Sequence, residues 1–385
     1  MKKKKIYIFF AYIFLFFNAK GQSFTTVIPY EVYADKMIVK MIINGKEERL
    51  IFDTGAGQSS ISYEYIQQNN LRIVDTVQLK DVTNTTSTYH LAQINSIMPL
   101  DRTVNFSKTA VVVMPAGSVF TDCFNVVGIL GSDILSRTIC TIDPKTKTIT
   151  LNDANSVIAE SFRYAHSFSK KGSLPIFNIL VNGHNLEVLM DSGSRDFMSL
   201  KRADYSTLDS HNAVEVIKEG RGKQSIGLAG EININTIKRV HFTDMRVGPA
   251  KFQNIITETE NLPYSLVGLK FMEQAKVVID YPKKRIFYVP LTKEVVKPIF
   301  KESSFGITVV DNKLTVSTVW ENLNGIIEEG DIITHVNGIE TGNYVFCDVI
   351  SGIDILKGSD PKLVTIKTKS GKSINLEYKV NEVKI

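Results

Sequence analysis

Apolar residues in this chain come in short runs separated by polar turns about every eight to twelve residues, the rhythm of β-strands. Lys36 to Asn44 (KMIVKMIIN) and Leu174 to Asn182 (LPIFNILVN) are strand-like runs, each closed by an Asn-Gly turn signal. Arg49 to Asp53 and Glu187 to Asp191 are shorter apolar runs, each ending at an Asp-Thr/Ser-Gly turn. Helical spacing is confined to pieces such as Ser132 to Arg137 and Leu269 to Gln274. The pattern predicts a mostly β protein built from closed or sandwich-like antiparallel sheets.

The pattern also repeats. NGKEERLIFDTGAGQSSIS, around Asn44-Gly45, has a counterpart in NGHNLEVLMDSGSRDFMSL, around Asn182-Gly183. Asp53 and Asp191 are 138 residues apart, as are the Asn-Gly pairs. Farther on, Ile129-Leu130-Gly131 matches Leu266-Val267-Gly268, and Thr141-Ile142-Asp143 matches Val278-Ile279-Asp280, each at an offset of 137. Four blocks in register with a drift of one residue mark two copies of one domain.

Asp53-Thr54-Gly55-Ala56 resembles the active-site turn of retropepsin-like aspartic proteases, and Asp191-Ser192-Gly193-Ser194 resembles its pepsin-type variant. Gly131 and Gly268, 78 and 77 residues after the aspartates, resemble the hydrophobic-hydrophobic-glycine segment that passes behind the turn in that family. The resemblance covers residues 24–290. It implies two homologous retropepsin-like β-barrel lobes, 24–155 and 165–292, forming a pseudo-dimer in one chain. Asp53 and Asp191 would be catalytic, Thr54 and Ser192 would lock the turns together, and a polypeptide would be the substrate. The chemistry needs the duplication. Two carboxyls about 3 Å apart cannot both ionise, so they share a proton and supply a base and an acid at one pH. Gly55 and Gly193 permit close backbone approach. Ser194 places a hydroxyl in reach of Asp191 where the first copy has Ala56, which predicts Asp191 as the charged member. The alternative is a catalytically inactive peptide-binding protein that keeps the cleft.

Cleft covers are expected at Lys223 to Ile234 and at Asp81 to Ile94, with Tyr89 as an aromatic tip. Beyond a charged linker at 291–303 containing Pro298, residues 299–385 form a third unit. Its Gly330-Asp331-Ile332 followed by Asn337-Gly338 resembles PDZ domains, small α+β folds, with Phe305, Gly306 and Ile307 at the carboxylate-binding loop. The resemblance implies binding of peptide C-termini, and the linker predicts a separately folding module.

Composition narrows the class. Of 385 residues, 43% are hydrophobic and 22% charged, which excludes disordered and coiled-coil readings. Five lysines and no acids lie in residues 1–21, and the rest of the chain carries 40 basic and 40 acidic residues. A neutral protein lacks the footprint of a nucleic-acid binder. Lys2 to Lys5, the 12-residue apolar run Ile6 to Phe17 and Ala19-Lys20-Gly21 read as a signal peptide, 1–21. Twelve helical residues span about 18 Å, too short for a membrane anchor, so an exported protein, periplasmic or secreted, is expected. Three cysteines cannot frame the fold, although Cys123 and Cys140 fall in one predicted lobe and are candidates for a bridge. The six scattered histidines and the absence of zinc-site spacings call for no metal, and nothing calls for another cofactor.

Overall fold

The computed structural model describes residues 23–80, 86–160, 162–169, 172–222, 226–227, 230–231, 234–358 and 360–383. The signal-peptide reading of 1–21 lies outside them. The protein is mostly β. Among the described residues, no helix is long and apolar enough to cross a membrane.

Strand Thr25–Tyr33 alternates exposed and buried positions along its first half, turning Ile28 and Tyr30 inward, as a strand with one wet face should. Its neighbour Lys36–Ile43 is buried at six of eight positions because it is covered on both faces. That strand turns at Asn44-Gly45, both at positive φ (47° and 90°), into Lys46–Phe52. Asn-Gly favours this two-residue hairpin turn because both residues tolerate the left-handed region. Lys46–Phe52 then runs parallel to Gly128–Leu130. Strand Ser60–Ser62 lies antiparallel to Gly128–Leu130 and parallel to Thr109–Met114.

The same set of pairings occurs a second time. Ile176–Val181 turns at Asn182-Gly183 (φ 46° and 84°) into His184–Met190, which runs parallel to Ser265–Val267. Met198–Lys201 is antiparallel to Ser265–Val267 and parallel to Ala250–Glu260. The two sets are joined where Thr138–Asp143 pairs antiparallel with Ala275–Asp280, Cys140 opposite Ile279. One hydrophobic core runs through both.

The C-terminal unit has its own core around Phe305, Val316, Ile333 and Ile366. It is nevertheless not a free module. Strand Lys313–Trp320 pairs with Glu215–Gly222, Gly220 opposite Trp320 and Gly222 opposite Thr318, so the sheet of the second half continues into the unit. A Cβ on Gly220 would lie 2.6 Å from the Trp320 ring, and one on Gly222 2.5 Å from the Ser317 carbonyl, so this approach requires glycine. Behind the ladder, buried Arg239 places Nε and Nη2 at 3.0 and 2.7 Å from Glu258 Oε1, pairs through Nη1 with Glu302, and stacks 4.1 Å from the Trp320 ring centre. The charged linker read as a boundary therefore leads into a bonded interface.

The cysteine expectation is also corrected. Cys123 pairs with Cys347, Cα atoms 4.9 Å apart, and Cys140 is a free, fully buried thiol within the core. Cys123 caps the short helix Val119–Asp122, which faces helix Phe346–Ser351 of the C-terminal unit, and Phe346 and Ile350 pack beside Phe124 and Ile129. Cys140 sits mid-strand with its side chain in the interior, out of reach of that surface. The bridge spans 224 residues of sequence, so it removes much unfolded-state freedom. Cys347→Ser is expected to lower unfolding free energy by about 2–4 kcal/mol, read as a lower urea midpoint; an unchanged midpoint would show that the noncovalent interface alone carries the contact.

Candidate active site

Strands Lys46–Phe52 and His184–Met190 deliver their last residues to one point. Asp53 N–H donates to the Leu130 carbonyl and Asp191 N–H to the Val267 carbonyl, both at 3.0 Å, so each parallel glycine-segment strand anchors one turn. The turns are tied by four bonds across the pair. Thr54 N–H donates to Ser192 Oγ at 3.0 Å and Thr54 Oγ1 donates to the Met190 carbonyl at 2.7 Å. Reciprocally, Ser192 N–H donates to Thr54 Oγ1 at 3.0 Å and Ser192 Oγ donates to the Phe52 carbonyl at 2.9 Å. Thr54 and Ser192 are fully buried, so every one of these bonds is shielded from water.

Each carboxylate is held by its own turn. Asp53 Oδ1 accepts from Gly55 N–H at 2.8 Å and Ala56 N–H at 3.0 Å, and Asp191 Oδ1 accepts from Gly193 N–H at 2.8 Å and Ser194 N–H at 3.1 Å. A Cβ on Gly55 would lie 2.3 Å from Asp191 Cγ, and one on Gly193 2.5 Å from Asp53 Cγ. Each glycine thus makes room for the opposite carboxyl, and the two carboxyls hydrogen-bond to one another. Burial, then the negative charge of Asp53, pushes Asp191 up to about 8, partly opposed by the Lys36 cation. The pair therefore keeps one proton through neutral pH. Gly193→Ala should cost at least about a hundredfold in peptide hydrolysis by displacing Asp53; wild-type kcat/KM in that variant would refute the packing argument.

Several expectations change here. Ser194 bonds Asp191 through its backbone N–H, just as Ala56 bonds Asp53, while its hydroxyl lies beside Gly268. Its side chain therefore does not set a charge asymmetry, and the shared proton belongs to the pair. Gly131 and Gly268 directly follow the strands behind the turns, and next to them Ser132 N–H donates to the Ala56 carbonyl and Leu269 N–H to the Ser194 carbonyl, both at 2.8 Å. Tyr89 is buried in mid-strand opposite Val77, within the hairpin of Ile73–Lys80 and Thr86–Ile94, and is no tip. Residues 81–85 lie outside the described residues. So does most of the Lys223–Ile234 cover; its short strands Ile226–Gly227 and Gly230–Glu231 pair with each other. Phe305 is packed in the C-terminal core against Tyr378, and Gly306 and Ile307 open the strand Gly306–Val310. Gly306 also lines a cavity of about 220 Å³ with Arg195, Met198 and Trp320, at the seam with the second half.

The sequence reading missed three supports. Ser132 Oγ donates to the Thr54 carbonyl at 2.5 Å, and Ser59 Oγ accepts from Gly131 N–H at 2.9 Å and donates to Asp133 at 2.6 Å. Lys36 donates through Nζ to the Gly193 carbonyl. Overlaying the two copies exposes the last one, because Leu174 stands where the first copy has Lys36. Among the described residues, no group of three or more His, Cys, Asp or Glu side chains is placed to hold a metal ion.

With this geometry established, comparison with known proteins adds one match. Residues 34–143 match the retroviral aspartyl protease family. That stretch has a retropepsin-like fold, and it contains Asp53, its turn and the Gly131 segment. No curated protein matches the chain. The family match points to aspartic-type peptidase chemistry acting on polypeptides.

Proposed function

We propose that this protein is an exported, single-chain aspartic endopeptidase. Two retropepsin-like lobes, 24–155 and 165–292, form a pseudo-dimer, and a PDZ-like domain at 299–385 engages substrate termini. The observation that carries the reading is the mutual fit of the two turns: each aspartate fills the space left by the other turn's glycine. In the reaction, the ionised carboxyl takes a proton from a water held between the pair while the protonated one donates to the scissile carbonyl oxygen. The water oxygen bonds to the carbonyl carbon; on collapse of the tetrahedral intermediate the newly protonated carboxyl gives its proton to the departing amine while the other takes the diol proton, so the dyad again holds one proton. The turn amides that donate to each carboxylate hold both in place without moving during the reaction.

Incubating the purified protein with a diverse peptide pool from about pH 3 to 9, beside Asp53→Asn, tests this directly. Cleavage by the wild type alone supports the reading. Equal cleavage by both, or binding without cleavage by both, would reject it.

A further inference from the structure

The hairpin between strands Thr25–Tyr33 and Lys36–Ile43 projects onto the turn of Asp191, and the segment 172–175 projects in the same way onto the turn of Asp53. The contacting segments correspond at the 138-residue offset, Asp35 to Ser173 and Lys36 to Leu174. Asp35 reaches Arg195 at 4.0 Å, and its counterpart Ser173 donates to the carbonyl of Gly57, the counterpart of Arg195, at 3.4 Å. Lys36 donates to the Gly193 carbonyl, whereas its counterpart Leu174 packs beside Gly57. One backbone arrangement thus carries a cation at one turn and an alkyl group at the other.

Resting on the aspartic protease reading, we infer that Lys36 is a positioning residue that sets the pH range of the carboxyl pair. Its ammonium sits on the carbonyl of the glycine whose Cα abuts Asp53 and whose N–H holds Asp191, so its charge acts on both carboxyls. The other charged groups around it include Asp35 on its own hairpin, Arg195 and Asp196 after the second turn, Lys270 paired with Asp196, and Glu273 with Lys147 beyond Asp35. Arg195 is engaged by Asp35 and Asp196, and Lys270 by Asp196, whereas Lys36, among the described residues, acts directly on the pair. A neighbouring cation favours the ionised form of a carboxyl and so lowers both proton-loss steps of the pair. Removing it moves both upward. On the acid side, fewer molecules then carry the single negative charge that activates water; on the alkaline side, the remaining proton is kept longer.

The test is the pH profile of kcat/KM for wild type, Lys36→Met, Lys36→Arg and Leu174→Lys, with the carboxyl carbons of Asp53 and Asp191 followed by NMR titration in the same proteins. Lys36→Met should move both limbs up by about one pH unit, about a tenfold loss on the acid side. Lys36→Arg should stay with the wild type, and Leu174→Lys should move both limbs down. Unmoved limbs and carbon midpoints in Lys36→Met would overturn the inference, as would an arginine variant that shifts as far as methionine. Should Lys36→Met fail to fold, Leu174→Lys decides by the same readouts with opposite sign. If the wild type cleaves nothing, the protease reading falls, and the carbon midpoints still decide the role of Lys36.

Discussion

Asp53→Asn and Asp191→Asn should each reduce peptide hydrolysis by about 10³-fold or more while leaving the fold intact. Either amide removes one partner from the shared-proton pair, and acid–base assistance of this kind contributes about 10²–10⁴-fold. The four bonds between Thr54 and Ser192 involve neither carboxyl, so the turns remain tied. The Asp191 variant carries a second, opposite signature. In the wild type the pair keeps a proton up to about pH 8 in the folded protein, whereas unfolded aspartates lose theirs near 3.9. Between those values the native state binds more protons than the unfolded state, so wild-type stability falls as pH rises from about 4 to 8. Asparagine has no proton to lose, and Asp191→Asn should flatten that decline. Urea midpoints at pH 5 and pH 8 measure it. A wild-type decline unchanged in Asp191→Asn would place the titration elsewhere, and retained hydrolysis in either variant would end the two-aspartate mechanism.

Removal of residues 299–385 is the second large effect. It should abolish hydrolysis of even a short peptide and destabilise the remainder by about 3 kcal/mol or more. The cut takes Glu302 from buried Arg239, strips Trp320 and Phe300 from the faces of its guanidinium, and uncovers the Glu215–Gly222 edge. That edge belongs to the hairpin leading to the Lys223–Ile234 segment, the expected cover of the second aspartate's side of the cleft. An uncovered edge containing Gly220 and Gly222 pairs readily with other chains, so the shortened protein should also aggregate. Light scattering, urea titration and short-peptide assays on one preparation check all three. Full short-peptide activity in a monomeric truncated protein would show that the C-terminal unit only docks substrate.

The sequence by itself determined the β class, the two Asp-Ser/Thr-Gly turns and their glycine segments. These are local events: an Asn-Gly pair selects a hairpin turn, and an apolar run ending in Asp-Thr-Gly stops a strand at a tight bend. The fixed offset of 138 residues showed that each event happens twice. Tertiary structure alone decided what these pieces meet. Cys123 looked like a partner for Cys140 because both lie in one lobe, but strand Thr138–Asp143 turns Cys140 into the core while the helix end at Cys123 faces Cys347, 224 residues away. Tyr89 looked like an aromatic tip of the 81–94 cover, but it sits in mid-strand opposite Val77 with its side chain buried. Lys36 looked like one more charged residue at the start of a strand. Its role arises from the Gly193 carbonyl, which lies 157 residues away in sequence and reaches it only when the two turns face each other.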